Sequence, residues 1–217
     1  VRAHEPECLL RVLASRSQRR LRYLPGVPKG SYLHLDAGVE ERFQCAPGPS
    51  GWRYVGERAD GVRVDLVVDA RWRQIRVEVV APEWWVRGGL AGREVVWVRG
   101  SGDAGTEHSA PAMGFLVESP GFLVAVARSL ELEPGEARDV RLVRLGGASL
   151  APLTGDWRWR HAETSVHETD TTPLPVTRYD VTDLATGEVE EVHLAGDVVL
   201  DAPGIELTAL ESPPNLG

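Results

Sequence analysis

Two cysteines in 217 residues, Cys8 and Cys45, are too few to frame a chain of this size with disulfides. The spacing leaves either one bridge between them or two unpaired thiols. No apolar run approaches the roughly 18 residues that a membrane-spanning helix needs. Stretches such as Gly121-Phe-Leu-Val-Ala-Val-Ala127 are strand-sized, and no secretory signal is evident, so a cytoplasmic protein without a transmembrane segment is expected. The phosphate loop and the dinucleotide glycine pattern are both missing, and Gly146-Gly147 alone does not replace them. Ser101-Gly102-Asp103 reads as a loop without the glycine-serine-glycine elbow of an esterase. These absences leave no cofactor specified.

The charge is present but lopsided. Through Lys29 there are six arginines and one lysine against two glutamates, whereas from Glu163 onward there are twelve acids and only Arg178. Arg16, Arg19, Arg20 and Arg22 could meet an anionic surface, but a single short basic segment on a chain of formal charge -8 argues against nucleic acid. The acidic end can meet the basic start within one molecule or between two, or simply keep the surface solvated.

What the chain does have is alternation. Val62 to Asp69 and Arg71 to Val80 interleave large apolar and charged side chains, the two-residue period of a sheet with one face in water. Trp52-Arg-Tyr-Val55, the Asp60-Gly61 turn and these two runs read as an antiparallel meander, continued by Arg93 to Arg99. Gly114 to Glu118 is a further strand. Phe122 to Arg128 either pairs with it or begins a helix. Ala137 to Leu145, Asp156 to His161, Val176 to Thr182, Glu188 to Leu194, Asp197 to Leu200 and Ile205 to Leu210 complete the series. Earlier, Glu7 to Leu13 and Arg20 to Leu24 are strands or an arginine-rich helix, with Gly26, Pro28 and Gly30, and then Gln44 to Gly51, as breaks. Gly100 to Ala112 reads as a solvent loop or a mobile lid, and Thr164 to Pro175 as a long crossing. The expected class is all-β or β-rich α+β, with antiparallel meanders forming a curved roll, barrel or sandwich.

Residues 1–217 read as a single β-rich domain, with room for two pseudo-repeated halves at about 52–145 and 154–211. Arg53-Tyr54 followed by Gly61 and Asp69 is echoed by Arg178-Tyr179 followed by Gly187 and Asp197. Two such units would enclose a common core or pocket.

Arg53-Tyr54 with Gly61-Val-Arg-Val-Asp-Leu-Val-Val-Asp-Ala-Arg-Trp-Arg73 resembles the early strand region of a family of bacterial proteins named for glycolipid binding, where a Val/Asp-rich strand runs into an Asp-x-x-Trp-Arg turn. The likeness covers about a tenth of the chain. It implies a curved all-β roll and an apolar or amphiphilic ligand. The later part of the chain departs from that pattern, and no functional residue is carried over.

Reactive groups are scattered. His161, Glu163 and His167 lie close in sequence, and zinc accepts such ligands, but they do not form the His-Glu-x-x-His helix face. His34, Asp36, Glu40 and Glu41 would join them only if the fold converged. Asp65 with Asp69, and Glu188 with Glu190, are same-face carboxylates that read most simply as solvated charge. No histidine arrangement marks either cysteine as an activated nucleophile.

The preferred expectation is therefore a binding module for an apolar or amphiphilic, lipid-like ligand. Its pocket would be lined by some of Tyr54, Trp72, Trp84, Trp97, Trp159 and Tyr179, with Arg71 or Arg87 meeting an anionic head. The same aromatics would serve equally as a sheet core. One alternative is a structural or assembly protein, working as a homo-oligomer or with a protein partner through a strand edge. Another is a metal-assisted hydrolase of a phosphate or ester. A carrier needs an apolar cavity, a hydrolase needs His161, Glu163 and His167 in one cleft, and an assembly protein needs an exposed patch.

Overall fold

The computed structural model describes residues 27–48, 51–169 and 172–216. The readings at Glu7 to Leu13 and Arg20 to Leu24, the Arg16–Arg22 cluster and Cys8 lie outside these residues, and with Cys8 goes the question of its pairing with Cys45.

Fifteen strands and one helix are described. They run β1 (Lys29–His34), β2 (Val39–Gly48), β3 (Gly51–Arg58), β4 (Arg63–Asp69), β5 (Gln74–Val80), β6 (Trp85–Ala91), β7 (Glu94–Ser101), β8 (Ala104–Ala110) and β9 (Gly114–Val117). Helix α1 (Pro120–Leu130) follows, and then β10 (Ala137–Gly146), β11 (Ala151–His167), β12 (Leu174–Asp183), β13 (Val189–Ala195), β14 (Val198–Ala202) and β15 (Ile205–Leu210). The strands form one curved, open sheet in the order β8 to β1, then β15 down to β9. Two meanders are thus spliced by the antiparallel β1–β15 pair. The fold is β-rich α+β.

The two-residue period does what the sequence requires of it. Val64, Leu66 and Val68 of β4 face inward, while Arg63, Asp65 and Asp69 face out. Outside, charges pair across strands: Asp65 bridges Arg53 and Arg76, and Arg178 reaches Glu191 and Glu163 on the flanking strands as well as Asp180 on its own. Such half-exposed pairs contribute only about 0–1 kcal/mol each, so the buried face dominates stability. The Arg53-Tyr54 and Arg178-Tyr179 pairs occupy matching roles on β3 and β12, tyrosine buried inside and arginine bonded to an acid on the next strand.

β9 and β10 pair in parallel, a link no hairpin can make, and α1 is the crossover between them. Ser119 stands at its N-cap and Pro120 opens it. Eight of its eleven residues are buried, so its apolar run shows neither a strand's alternation nor a single helical stripe. The reason is its location. It packs on β4, β9 and β14, strands far apart in the sheet order, and therefore lies inside the curl.

Three further contacts hold the curl. The Tyr32 hydroxyl donates to the Val199 carbonyl at 3.0 Å, and Arg99 donates to the Ser149 carbonyl at 2.8 Å. The side-chain amide of Gln74 on β5 accepts from the Phe115 N–H at 2.7 Å and donates to the Phe115 carbonyl at 3.0 Å, standing in for a neighbouring strand beside β9.

Four expectations are corrected. The run from Arg71 to Val80 is strand only from Gln74, because Arg71 to Arg73 belong to the β4–β5 turn. Within Gly100 to Ala112, residues 104–110 are strand β8, paired along its length with β7; it bears no apolar stripe because it is an exposed edge. The crossing at Thr164 to Pro175 is shorter, since β11 continues to His167 and β12 starts at Leu174. The breaks placed before and after residues 30–44 give way to strands, with β1 starting at Lys29 and β2 running to Gly48.

Candidate functional site

The β4–β5 turn presents an indole in an unusual way. Asp69 Oδ1 accepts the N–H groups of Arg71 and Arg73 at 2.9 and 3.0 Å, and Oδ2 accepts from Arg73 Nε at 2.7 Å. The Trp72 N–H donates to the Asp69 carbonyl at 2.9 Å. The turn holds Trp72 at φ 60°, a left-handed conformation that costs a non-glycine residue about 1–2 kcal/mol. A glycine would be the relaxed choice. The tryptophan is half-buried against Trp52, ring centroids 5.3 Å apart and tilted by 44°.

Together these rings line a cleft of about 280 Å³ with Pro47, Asp69, Arg128, Asp197 and Asn215. Arg128 comes from the last turn of α1, its guanidinium 5.2 Å from the centre of the Trp72 ring. It makes no ion pair or hydrogen bond among the described residues. Its charge is also felt by Tyr179, whose hydroxyl is pushed up by burial and drawn part of the way back by Arg128.

Asp197, in the β13–β14 turn, lines the cleft beside Trp52 and is buried. Its Oδ1 accepts from the Asn215 backbone at 2.8 Å, while Oδ2 accepts from Asn215 Nδ2 at 2.8 Å, Trp52 Nε1 at 3.1 Å and Cys45 Sγ at 3.7 Å. Gly196 permits this, because a Cβ there would overlap the Asn215 carbonyl. Burial, then the Asp197 charge, push the Cys45 thiol far up, so it stays protonated and inert.

A second polar cluster is sealed inside. Glu41 on β2, fully buried, accepts Tyr54 OH at 2.7 Å and Ser119 Oγ at 2.8 Å on Oε1, and faces His34 Nε2 at 2.6 Å on Oε2. Gly56 leaves room for the carboxylate and Gly121 for the Tyr54 ring. Burial above all, reinforced by Glu41, raises both Tyr54 and Tyr32 well above the ordinary tyrosine range. With every member buried, the cluster ties α1 to the sheet; it does not face a substrate.

Of the expected pocket residues, Trp72 lines the cleft, whereas Tyr179 packs against Trp159 and His161. Tyr54 belongs to the Glu41 cluster. Trp159 is core, packed edge-on to Tyr179. Trp97 is core between His108 and Phe115, and Trp84 lies under the Arg99 guanidinium at 3.7 Å. Arg71 is exposed on the turn beside Trp72, and Arg87 pairs with Glu78 at 2.9 Å. His161 bonds the Leu132 carbonyl and Thr164, His167 bonds Ser165, and Glu163 pairs with Arg178. Among the described residues no group of three or more His, Cys, Asp or Glu side chains is arranged to hold a metal ion.

Trp52, Arg128, Asp197 and Asn215 are the cleft residues that sequence patterning passed over. Trp52 shares inward parity with Tyr54, and Glu41 shares it with Phe43 and Cys45, a carboxylate inside an apolar stripe that was a readable signal. Nothing local marks Arg128 or Asp197.

No protein-family model and no curated protein matches the chain. Among solved structures, a DUF1089 family protein from Pseudomonas aeruginosa is similar at 17% identity and a TM-score of 0.49, covering 87% of this chain and 96% of that one. This is a weak, partial likeness of backbone course and brings no ligand or activity with it.

Proposed function

We propose that the protein is a binding module for a small amphiphilic ligand, held in the Trp52–Trp72–Arg128 cleft. The observation that carries this reading is Trp72 itself: a bulky ring kept at φ 60°, where glycine would relax the turn, with its face toward a guanidinium that meets no acid among the described residues. The β-rich fold with its buried aromatic cluster is consistent with a site for a hydrophobic ligand. At about 280 Å³ the cleft is at the small end of ligand sites, so it takes a head group and leaves an acyl chain outside. α1 fills the interior of the curl that a deep carrier would leave open. In this reading the chain binds without catalysing.

Native mass spectrometry of protein purified from its own host tests it. A releasable adduct of reproducible mass, lost in Trp72→Gly and Arg128→Gln, is the expected result. An adduct kept by both variants, or none at all, overturns the assignment to this cleft.

A further inference from the structure

The cleft carries two opposite charges that do not meet. Arg128 and Asp197 line the same cavity, yet no ion pair joins them, and the wall between runs from Asp197 through Trp52 and Trp72 to Arg128 by successive contacts at 3.1, 5.3 and 5.2 Å. Asp69, the other acid of the lining, is already matched by Arg73. Among the described residues the lining therefore carries one cation and one anion that do not pair, linked through two indoles, of which Trp52 is buried and Trp72 half-buried.

The two charges differ in what they offer. Arg128 spends none of its donors on the described residues, which suits a phosphate or carboxylate able to accept two parallel N–H bonds. Asp197 has charge but little acceptor capacity left, because Asn215 twice, Trp52 and Cys45 already occupy its oxygens. A primary ammonium would find few acceptors there. A quaternary ammonium has no N–H to satisfy and binds through its charge and through the faces of aromatic rings.

Resting on the amphiphile reading above, we infer that the cleft recognises a zwitterion with an anionic group at Arg128 and a quaternary ammonium against Trp52 and Trp72 near Asp197. Phosphocholine is one such compound. The same chemistry reaches a protein as a free metabolite or as the head group of a lipid.

Isothermal titration of the full chain distinguishes the possibilities, with phosphocholine, phosphoethanolamine, choline, inorganic phosphate and submicellar lysophosphatidylcholine as probes. Phosphocholine is expected to bind at least about tenfold more tightly than phosphoethanolamine, choline or phosphate. Arg128→Gln is expected to remove its advantage over choline, and Trp72→Gly its advantage over phosphate. Tighter binding of lysophosphatidylcholine identifies a lipid source, and equal binding a free head group; either supports the zwitterion. Equal affinity for phosphoethanolamine overturns the quaternary-ammonium assignment, and an unaffected Arg128→Gln overturns the anion assignment. If dodecyl sulfate or dodecyl maltoside binds in a Trp72-dependent way while phosphocholine does not, the zwitterion fails and the amphiphile module stands. If no probe binds, both fail.

Discussion

His34 Nε2 and Glu41 Oε2 lie 2.6 Å apart with side chains 6% and 1% exposed, on adjacent strands of the β1–β2 hairpin. A carboxylate so placed is tolerable only because Tyr54 and Ser119 also donate to it. Removing it strands three polar side chains at once. Glu41→Ala should cost about 3–5 kcal/mol in urea unfolding, and Glu41→Gln, which keeps an acceptor, about 1–3 kcal/mol. A Glu41→Ala protein within ~1 kcal/mol of the parent would show that the cluster does not anchor α1.

Trp72 separates stability from binding. Trp72→Gly relieves about 1–2 kcal/mol of left-handed strain and gives up a ring contact worth about 0.5–1.5 kcal/mol together with about 1 kcal/mol of apolar burial by the half-buried indole. Its unfolding free energy should therefore fall by no more than about 2 kcal/mol. Ligand binding should nevertheless be lost. A variant that unfolds several degrees lower while still binding would place the ring's role in packing.

Gln74 stands in for a strand, so its loss should be felt at Phe115. Gln74→Leu leaves the Phe115 N–H and carbonyl without their partner and should cost about 2–4 kcal/mol. Hydrogen exchange at the Phe115 amide should accelerate more than exchange in β4. Unchanged protection at Phe115 would mean that another group or water takes Gln74's place.

Asp69 sets the acid limit of the cleft. Burial raises its carboxyl, but Arg73 and the backbone N–H groups of Arg73 and Arg71 outweigh this and hold it below the ordinary range. A carboxyl depressed on folding contributes fully above its unfolded pKa of about 3.9, and the contribution is lost as pH falls through the lower folded value. The tryptophan emission of the ligand-free cleft should thus be flat from neutral pH to about 4 and decline below it. Asp69→Asn should be less stable at neutral pH and should lack that acid-dependent increment. A decline beginning near pH 6 in the parent would point to a histidine instead.

The sequence alone determined the strands whose two faces differ. In Arg63 to Asp69 and Val77 to Val80, and again in Trp157, Trp159 and His161, inward bulk and outward charge alternate, and only a half-buried sheet satisfies both. It was silent where burial is the same on every side. β8 is exposed on both faces, so residues 104–110 read as loop; α1 is wrapped by the curl, so its apolar run fitted a strand as well as a helix. The early strands β1 and β2 were masked by the glycines and prolines at their ends. The cleft belonged to the tertiary structure altogether. Asp197 and Trp52 are 145 residues apart, and Arg128 reaches Trp72 only because a crossover helix lies inside the sheet. Periodicity is a local consequence of backbone geometry and says which face a side chain takes. Which faces meet is decided by how the sheet curls and by what fills the curl.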